Sequence, residues 1–155
     1  MNKPEVFGEY NTLRQMSKTE AEKMLDSPSD MRFFFIEKKE GSKIGFIGHF
    51  HVLHVAGKLL EIGYSLVPSE RGKGYCTEAV KIMLDYLFLS RDATRIQACT
   101  DTRNLASQKV LEKVGFKKEG KMRKFFFIRG ELRDAYLYSI LREEWKEPSV
   151  LTKSS

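Results

Sequence analysis

The sequence lacks any apolar run near the ~20 residues that a membrane-spanning helix requires, so we expect no membrane association. Residues 1–4 also lack the apolar core of a secretory signal peptide. Cysteine is scarce, because Cys76 and Cys99 are the only two in the chain and show no metal-ligand spacing. These absences predict a cytoplasmic protein that holds no metal ion.

Internal repeats and linker-like stretches are also absent from the 155 residues. With 41% hydrophobic residues, the chain is long enough to bury one core but not two. We therefore expect a single domain over residues 1–147 and a flexible tail over residues 148–155.

The formal net charge of +6 is unevenly spread, with nine Lys or Arg against three Glu between Lys109 and Arg133. Such an excess suits an anionic ligand, an acidic partner or nucleic acid. The RNP signature of RNA-binding sheets is absent around Phe125, Phe126 and Phe127, however. We expect mainly a solvated basic face, with no nucleic-acid partner.

Hydrophobic periodicity and turn residues predict an α+β chain. The strand before the central helix and the strand after it should be parallel neighbours in a mostly antiparallel sheet, with helices on both faces. The predicted strands are residues 31–37, 43–55, 59–67, 95–100, 116–128 and 132–141, and the predicted helices are residues 17–25, 77–90 and 104–114.

Helical spacing also predicts which residues point into the core. For the central helix these are Ala79, Ile82, Met83, Tyr86 and Leu87, with Thr77 as a possible cap. For the next helix they are Leu105, Val110, Leu111 and Val114, with Gly115 as the expected helix-end residue.

The most informative segment, residues 67–80, lies between a strand-like run and the central helix. Gly72 and Gly74 let the backbone turn its N–H groups toward one point, and the helix dipole and Arg71 and Lys73 add positive charge. A nucleoside-triphosphate loop is excluded because G-x-x-x-x-G-K-[ST] is absent, and Thr77 replaces the third glycine of the dinucleotide fingerprint. The segment therefore predicts a phosphate-binding loop, called the phosphate loop below.

The phosphate loop resembles the R/Q-x-x-G-x-G/A acyl-CoA loop of the GNAT superfamily of N-acetyltransferases. Arg71 opens the motif, Gly74 is its central glycine and Cys76 takes the last small-residue position. Residues 104–120 independently resemble the N-x-x-S-x-x-x-x-x-K-x-G-F-x-x-E-G segment of the ribosomal-protein (RimJ/RimL-like) branch. The resemblance spans residues 43–145 and implies the GNAT fold, acetyl-CoA as co-substrate and a primary amine as acceptor.

Several acceptors remain compatible with that resemblance: a protein N-terminus such as that of a ribosomal protein, a polyamine or another small amine. Direct attack of the amine on the thioester is expected, without an acyl-enzyme. A CoA-binding module with little or no activity is the alternative.

By the same resemblance, main-chain amides of residues 71–77 hold the pyrophosphate. Main-chain groups of residues 64–67 pair with the pantetheine arm, and the start of the second helix faces the thioester. The residues so implied for acetyl-CoA binding are Leu66, Val67, Arg71, Gly72, Lys73, Gly74, Tyr75, Cys76, Thr77, Asn104 and Ser107.

The catalytic residues we expect are Ser107, Glu61 and Asn104. Many family members carry a tyrosine acid seven residues after this asparagine, and here that position is Leu111. Ser107 could instead donate a hydrogen bond to the leaving sulfur, or it could simply cap its helix. Glu61 is either the base or a solvated strand residue.

Other side chains are weaker candidates. Asp134 could orient the acceptor amine, and at most one of His51 and His54 can face the site, since three residues along a strand separate them. Cys76, at a helix N-terminus beside two cations, is expected to favour the thiolate and to react faster than a buried Cys99.

The N-terminal part departs from the family pattern. About sixteen residues precede the segment 17–25, whereas the family has an arginine-containing strand and a helix there. We expect the first strand to be missing or shortened, or to be supplied by another subunit of a homodimer.

Overall fold

The structure is a computed structural model that describes residues 31–52 and 58–146. These ranges form six strands and two α-helices in the predicted order β-β-β-α-β-α-β-β. The elements are β1 (Arg32–Glu37), β2 (Lys43–His51), β3 (Leu59–Leu66), α1 (Tyr75–Ser90), β4 (Arg95–Asp101), α2 (Leu105–Val114), β5 (Lys117–Ile128) and β6 (Glu131–Leu141).

The six strands form one mixed sheet in the order β1-β2-β3-β4-β6-β5. Neighbouring strands are antiparallel except β3 and β4, which are parallel and joined through α1. This arrangement confirms the predicted α+β class and its single parallel pair.

The parallel pair is short. Its ladder covers only Leu59–Glu61 of β3 against Arg95–Gln97 of β4. Beyond that point β3 runs on to Leu66 and β4 to Asp101 with no pairing between them. The sheet therefore opens between the carboxyl ends of these two strands, the edge at which α/β sheets bind ligands.

Both described helices pack on one face of the sheet and share its core. Tyr86 of α1 lies with its ring centroid 6.0 Å from that of His49, and Glu112 of α2 accepts a hydrogen bond from the Tyr138 hydroxyl at 2.9 Å. Large side chains that are fully buried in this core include Leu60, Val80, Leu87, Phe88, Ile96, Leu111 and Tyr138. The prediction of a helix on the opposite face falls outside the described residues.

Two expectations about the helices are wrong in detail. Ile82 and Leu105 are 38% and 64% exposed, because the crossing of each helix over the sheet, not helical spacing alone, selects the buried face. Helix α1 begins at Tyr75 with Gly74 as its N-cap, so Thr77 does not cap it. Gly115 ends α2 in the left-handed region at φ 108°, as predicted.

Some predictions lie outside the described residues: the helix over 17–25, the continuation of a strand to residue 55, His54, the first strand and the tail over 148–155. Within residues 31–52 and 58–146, no helix is long and apolar enough to cross a membrane.

Candidate active site

The phosphate loop takes its shape from two glycines. Gly72 and Gly74 have φ values of 72° and 86°, in the left-handed region that side chains disfavour. A Cβ at either position would meet no heavy atom within 4 Å. The glycines are thus required by the backbone conformation, and the space in front of them is open to a ligand.

The start of α1 presents unused hydrogen-bond donors to that space. The first intrahelical bond runs from the Glu78 N–H to the Gly74 carbonyl at 3.1 Å. Because a glycine is the N-cap, no side chain within residues 31–52 and 58–146 accepts from the N–H groups of Tyr75, Cys76 and Thr77. Three donors at the positive end of a 16-residue helix make an anion site.

The cations of the loop are held by the protein itself. Arg71 donates from Nε and Nη2 to the Leu66 carbonyl at 3.2 and 3.1 Å, which ties the loop to the end of β3. Lys73 and Lys38 each lie 3.2 Å from the Glu70 carboxylate, and their hydrogen bonds lower the pKa of Glu70. Arg71 therefore holds the loop against the end of β3 and also adds positive charge to it.

Cys76 does not behave as the sequence suggested. Burial raises the pKa of its thiol to about 12, and the opposing effect of Arg71 is smaller. Burial and the neighbouring Glu61 also raise the pKa of Cys99 to about 12. The expectation that Cys76 favours the thiolate is wrong, because desolvation of the charged form outweighs the nearby cation.

The edge of β3 beyond Glu61 faces the opening in the sheet. Val67 lies at the end of this edge, where its N–H donates to the Ile44 carbonyl at 2.9 Å and its carbonyl accepts from Glu70 at 3.0 Å. Both main-chain groups of Val67 thus have partners in the protein. The pairing of residues 64–67 with a pantetheine arm stays a prediction.

The start of α2 lies on the other side of the opening. Asn104 is the N-cap, and its Oδ1 accepts from the Ser107 N–H at 3.1 Å. The Ser107 hydroxyl makes a different contact, 2.9 Å from the hydroxyl of Tyr64 on β3. Capping is therefore the work of Asn104, and the Ser107 hydroxyl is not needed for it.

Sequence reasoning did not identify the side chain of Tyr64 as part of the site. It comes 43 positions before Ser107, and no local motif marks the pair. Leu111, at the position where many relatives have a tyrosine, is fully buried in the core. The hydroxyl nearest to Ser107 thus comes from a strand and not from α2.

Glu61 is not brought together with Ser107. It lies three positions before Tyr64 along β3, so the two side chains point to opposite faces of the sheet. Glu61 is the last residue of the parallel ladder, and Gln97 Nε2 donates to its Oε2 at 2.7 Å. It stands where β3 and β4 separate, with its carboxylate oriented by Gln97.

A cavity of about 450 Å³ lies beside the start of α2, at the same edge of the sheet. Beneath it, Asp101 is almost fully buried and lies 3.4 Å from Nη1 of the largely buried Arg133. Arg103, half exposed, lies 3.5 Å from the same carboxylate. The residues lining this cavity, called the α2 cavity below, are Thr102, Arg103, Glu131, Leu132, Arg133 and Asp134.

Each carboxylate around the α2 cavity has a basic partner. Glu131 lies 3.4 Å from Arg133 and 3.7 Å from Arg103. Asp134 accepts from the Lys124 N–H at 2.9 Å and lies 3.1 Å from Lys121, and these contacts lower its pKa. Asp134 is thus held within its own hairpin.

His49 is a further residue that the sequence did not single out. It is fully buried, and neither ring nitrogen has a hydrogen-bond partner in the described part of the chain. Burial lowers its pKa from 6.5 to about 4, with smaller contributions from the charges of Arg91, His51 and Arg32. Among the described residues, no group of three or more His, Cys, Asp or Glu side chains is placed to hold a metal ion.

Residues 1–117 match the family described as the acetyltransferase (GNAT) domain. The chain is 33% identical over 149 residues to an uncharacterized N-acetyltransferase, p20, of Bacillus licheniformis, covering 92% of this chain and 83% of the relative. It is 34% identical to the putative ribosomal N-acetyltransferase YdaF of Bacillus subtilis, over 69% of this chain and 58% of that protein.

Solved structures show the same fold. Mycobacterium smegmatis RimJ, in complex with CoA-disulfide, superposes with a TM-score of 0.71 and 31% identity, over 77% of this chain and 56% of that one. The spermidine N-acetyltransferase of Vibrio cholerae, in complex with CoA and spermine, gives a TM-score of 0.76 over 84% of this chain and 78% of that one. At 23% identity, the second likeness concerns the fold alone.

Proposed function

Because this chain belongs to the acetyltransferase (GNAT) family, we propose that it transfers an acetyl group from acetyl-CoA to a primary amine. The observation that carries the proposal is the start of α1. Behind Gly72 and Gly74 it offers three uncapped N–H donors to open space, beside the gap between β3 and β4. Charge-assisted bonds from such donors suit a pyrophosphate.

Acetyl-CoA would span the opening in the sheet. Its pyrophosphate would bind the amides of the phosphate loop, and its pantetheine arm would lie along the edge of β3 before Val67. The acetyl thioester would then lie between β3 and the start of α2, at Tyr64, Asn104 and Ser107, called the thioester end below. Asn104 serves there as the helix cap that holds the Ser107 amide, and Ser107 faces the leaving sulfur.

The reaction is a direct displacement at the thioester carbonyl. The amine nitrogen forms a bond to the carbonyl carbon, the carbon–sulfur bond breaks, and the sulfur leaves with the electron pair. An N-terminal amine has a pKa of ~7.7–8.0, so roughly a tenth is already unprotonated at pH 7. Attack leaves one excess proton on the amine nitrogen. Glu61, oriented by Gln97, would accept this proton through water.

If the acceptor enters through the α2 cavity, which lies beside the start of α2, the charges lining that cavity favour a protein N-terminus over a polyamine. A polyamine needs unpaired carboxylates for its several cations, whereas Asp101, Glu131 and Asp134 already have basic partners. A peptide brings one amine, and its carbonyls can accept from arginine. The similarity to a putative ribosomal N-acetyltransferase points the same way.

Calorimetry tests the binding half of this proposal. CoA should bind more than about tenfold tighter than pantetheine, since each charge-assisted bond to phosphate is worth roughly 1.5–3 kcal/mol. Equal affinities for CoA and pantetheine would mean that the phosphate loop does not bind the pyrophosphate.

The catalytic half is tested by the release of free thiol from acetyl-CoA. A short peptide with a free N-terminus should be the best acceptor, and spermidine a poorer one. The same peptide with a blocked N-terminus is the matched control. CoA binding without turnover of any amine would instead indicate an inactive CoA-binding module. The presence of Leu111 in place of the tyrosine acid of many family members favours that alternative.

A further inference from the structure

The contact between Tyr64 and Ser107 joins two elements that the chain separates. Tyr64 lies in the part of β3 beyond the parallel ladder, and Ser107 in the first turn of α2. Their hydroxyl oxygens are 2.9 Å apart, a normal hydrogen-bond distance. The contact thus bridges the gap through which the thioester must pass under the proposed function.

Either hydroxyl is able to donate in this contact, and the Tyr64 hydroxyl also lies 3.5 Å from the Ser107 carbonyl. Burial raises the pKa of the Tyr64 phenol well above its ordinary value, so the phenol keeps its proton and can donate. A serine hydroxyl has one hydrogen and two lone pairs. When Ser107 Oγ accepts from Tyr64, its own hydrogen must point elsewhere.

The capping bond leaves that hydrogen available. Asn104 Oδ1 already satisfies the Ser107 N–H, so the serine hydroxyl has no part in closing the helix. Leu111, one turn further along α2, is fully buried and apolar and offers no competing hydroxyl.

We propose that Tyr64 is a positioning residue for acetyl transfer: its phenol donates to Ser107 Oγ and thereby directs the serine hydrogen toward the sulfur of the leaving CoA. The inference rests on the proposed function. As the carbon–sulfur bond breaks, the developing thiolate accepts this hydrogen bond. Tyr64 and Ser107 both keep their protons, the amine loses its proton to water or Glu61, and solvent later protonates the thiolate.

A double-mutant cycle tests whether Tyr64 acts through Ser107. Tyr64→Phe and Ser107→Ala should each lower kcat about 10–100-fold at saturating acetyl-CoA, with CoA affinity nearly unchanged. Since one residue works through the other, the double variant should be no slower than Ser107→Ala alone. Multiplying effects, or a wild-type kcat in Tyr64→Phe, would overturn the proposal.

Tyr138→Phe is the matched control. Tyr138 is a fully buried tyrosine whose hydroxyl donates to Glu112 at 2.9 Å, so this variant also loses one hydroxyl hydrogen bond. It should melt earlier than wild type yet keep its kcat. An equal loss of kcat in Tyr138→Phe would mean that the effect of Tyr64 is only structural, which contradicts the proposal.

The ionisation of bound CoA gives a readout that needs no turnover. Thiolate absorbance in the ultraviolet, followed against pH, reports the pKa of the CoA thiol in the complex. Cys76 and Cys99 do not interfere near pH 8–9, because their pKa values are raised to about 12. The bound thiol should ionise at lower pH than free CoA in wild type, and this shift should be lost in Tyr64→Phe.

The two experiments separate the inference from the function on which it rests. If no amine is acetylated but the thiol pKa is lowered in wild type and restored in Tyr64→Phe, the proposed function fails, while the hydrogen bond that Tyr64 directs from Ser107 to the CoA sulfur stands. If amines are acetylated but the thiol pKa is the same in wild type and Tyr64→Phe, the positioning role fails and the function stands.

Discussion

The phosphate loop and the thioester end lie at the same edge of the sheet but are built in different ways. The loop is one continuous segment whose donors are backbone N–H groups behind two left-handed glycines. The thioester end joins Tyr64 of β3 to Ser107 of α2 through side chains 43 positions apart. The first depends on local backbone conformation and the second on how strands and helices pack.

This difference predicts how each region responds to substitution. A substitution at Gly72, Lys73 or Gly74 should weaken ligand binding and leave the fold largely intact, because these residues of the loop are exposed. A substitution near the start of α2 should disturb the fold as well, since Asp101 and Arg133 are buried there.

The largest effect should come from Arg133→Met. It leaves the Asp101 carboxylate buried without its closest basic partner, and loss of one member of a buried pair costs about 3–4 kcal/mol in the free energy of unfolding. Arg103→Met is the matched control, because Arg103 contacts the same two carboxylates but is half exposed. It should cost less than about 1 kcal/mol. Equal losses in denaturant unfolding would contradict the distinction between buried and exposed partners.

Gly74→Val should weaken CoA binding about 100-fold, or about 2.8 kcal/mol, because a side chain would occupy the space that the phosphates need. Gly130→Val is the control, since Gly130 has a similar φ of 79° and a Cβ there would also meet no heavy atom within 4 Å. Both variants carry the same backbone strain, so calorimetry should show the loss in Gly74→Val alone. Similar losses in both would mean that strain, not access to the loop, lowers affinity.

The pH dependence of the free energy of unfolding should test the core beneath α1, against which both regions are built. The unfolded His49 side chain binds a proton near pH 6.5, whereas the pKa in the folded protein is lowered to about 4. The stability that the neutral His49 contributes is therefore fully present above pH 6.5 and is lost progressively as the pH falls to 4, about 3 kcal/mol in the free energy of unfolding. His49→Leu should flatten this part of the unfolding profile. The same acid dependence in His49→Leu would assign it to other groups.

Much of the fold could be predicted because its signals are local. Alternating residues marked the strands, Gly115 marked the end of α2, and the crossover rule gave the parallel pair β3–β4. The helix faces were less well predicted, since Ile82 and Leu105 fit the helical period yet stay exposed. Periodicity indicates that one face is buried, but packing decides which residues belong to it.

The same distinction between local and long-range features applies to the site. The left-handed glycines follow from backbone preferences over a few residues, and the sequence alone determined them. The Asn104 cap is equally local, although capping of α2 was expected only of Ser107. Only the tertiary structure decided that Tyr64 meets Ser107 and that burial prevails over Arg71 at Cys76. The physical reason is range: φ preferences and caps act over one helical turn, whereas desolvation and contacts between elements depend on which distant segments cover a side chain.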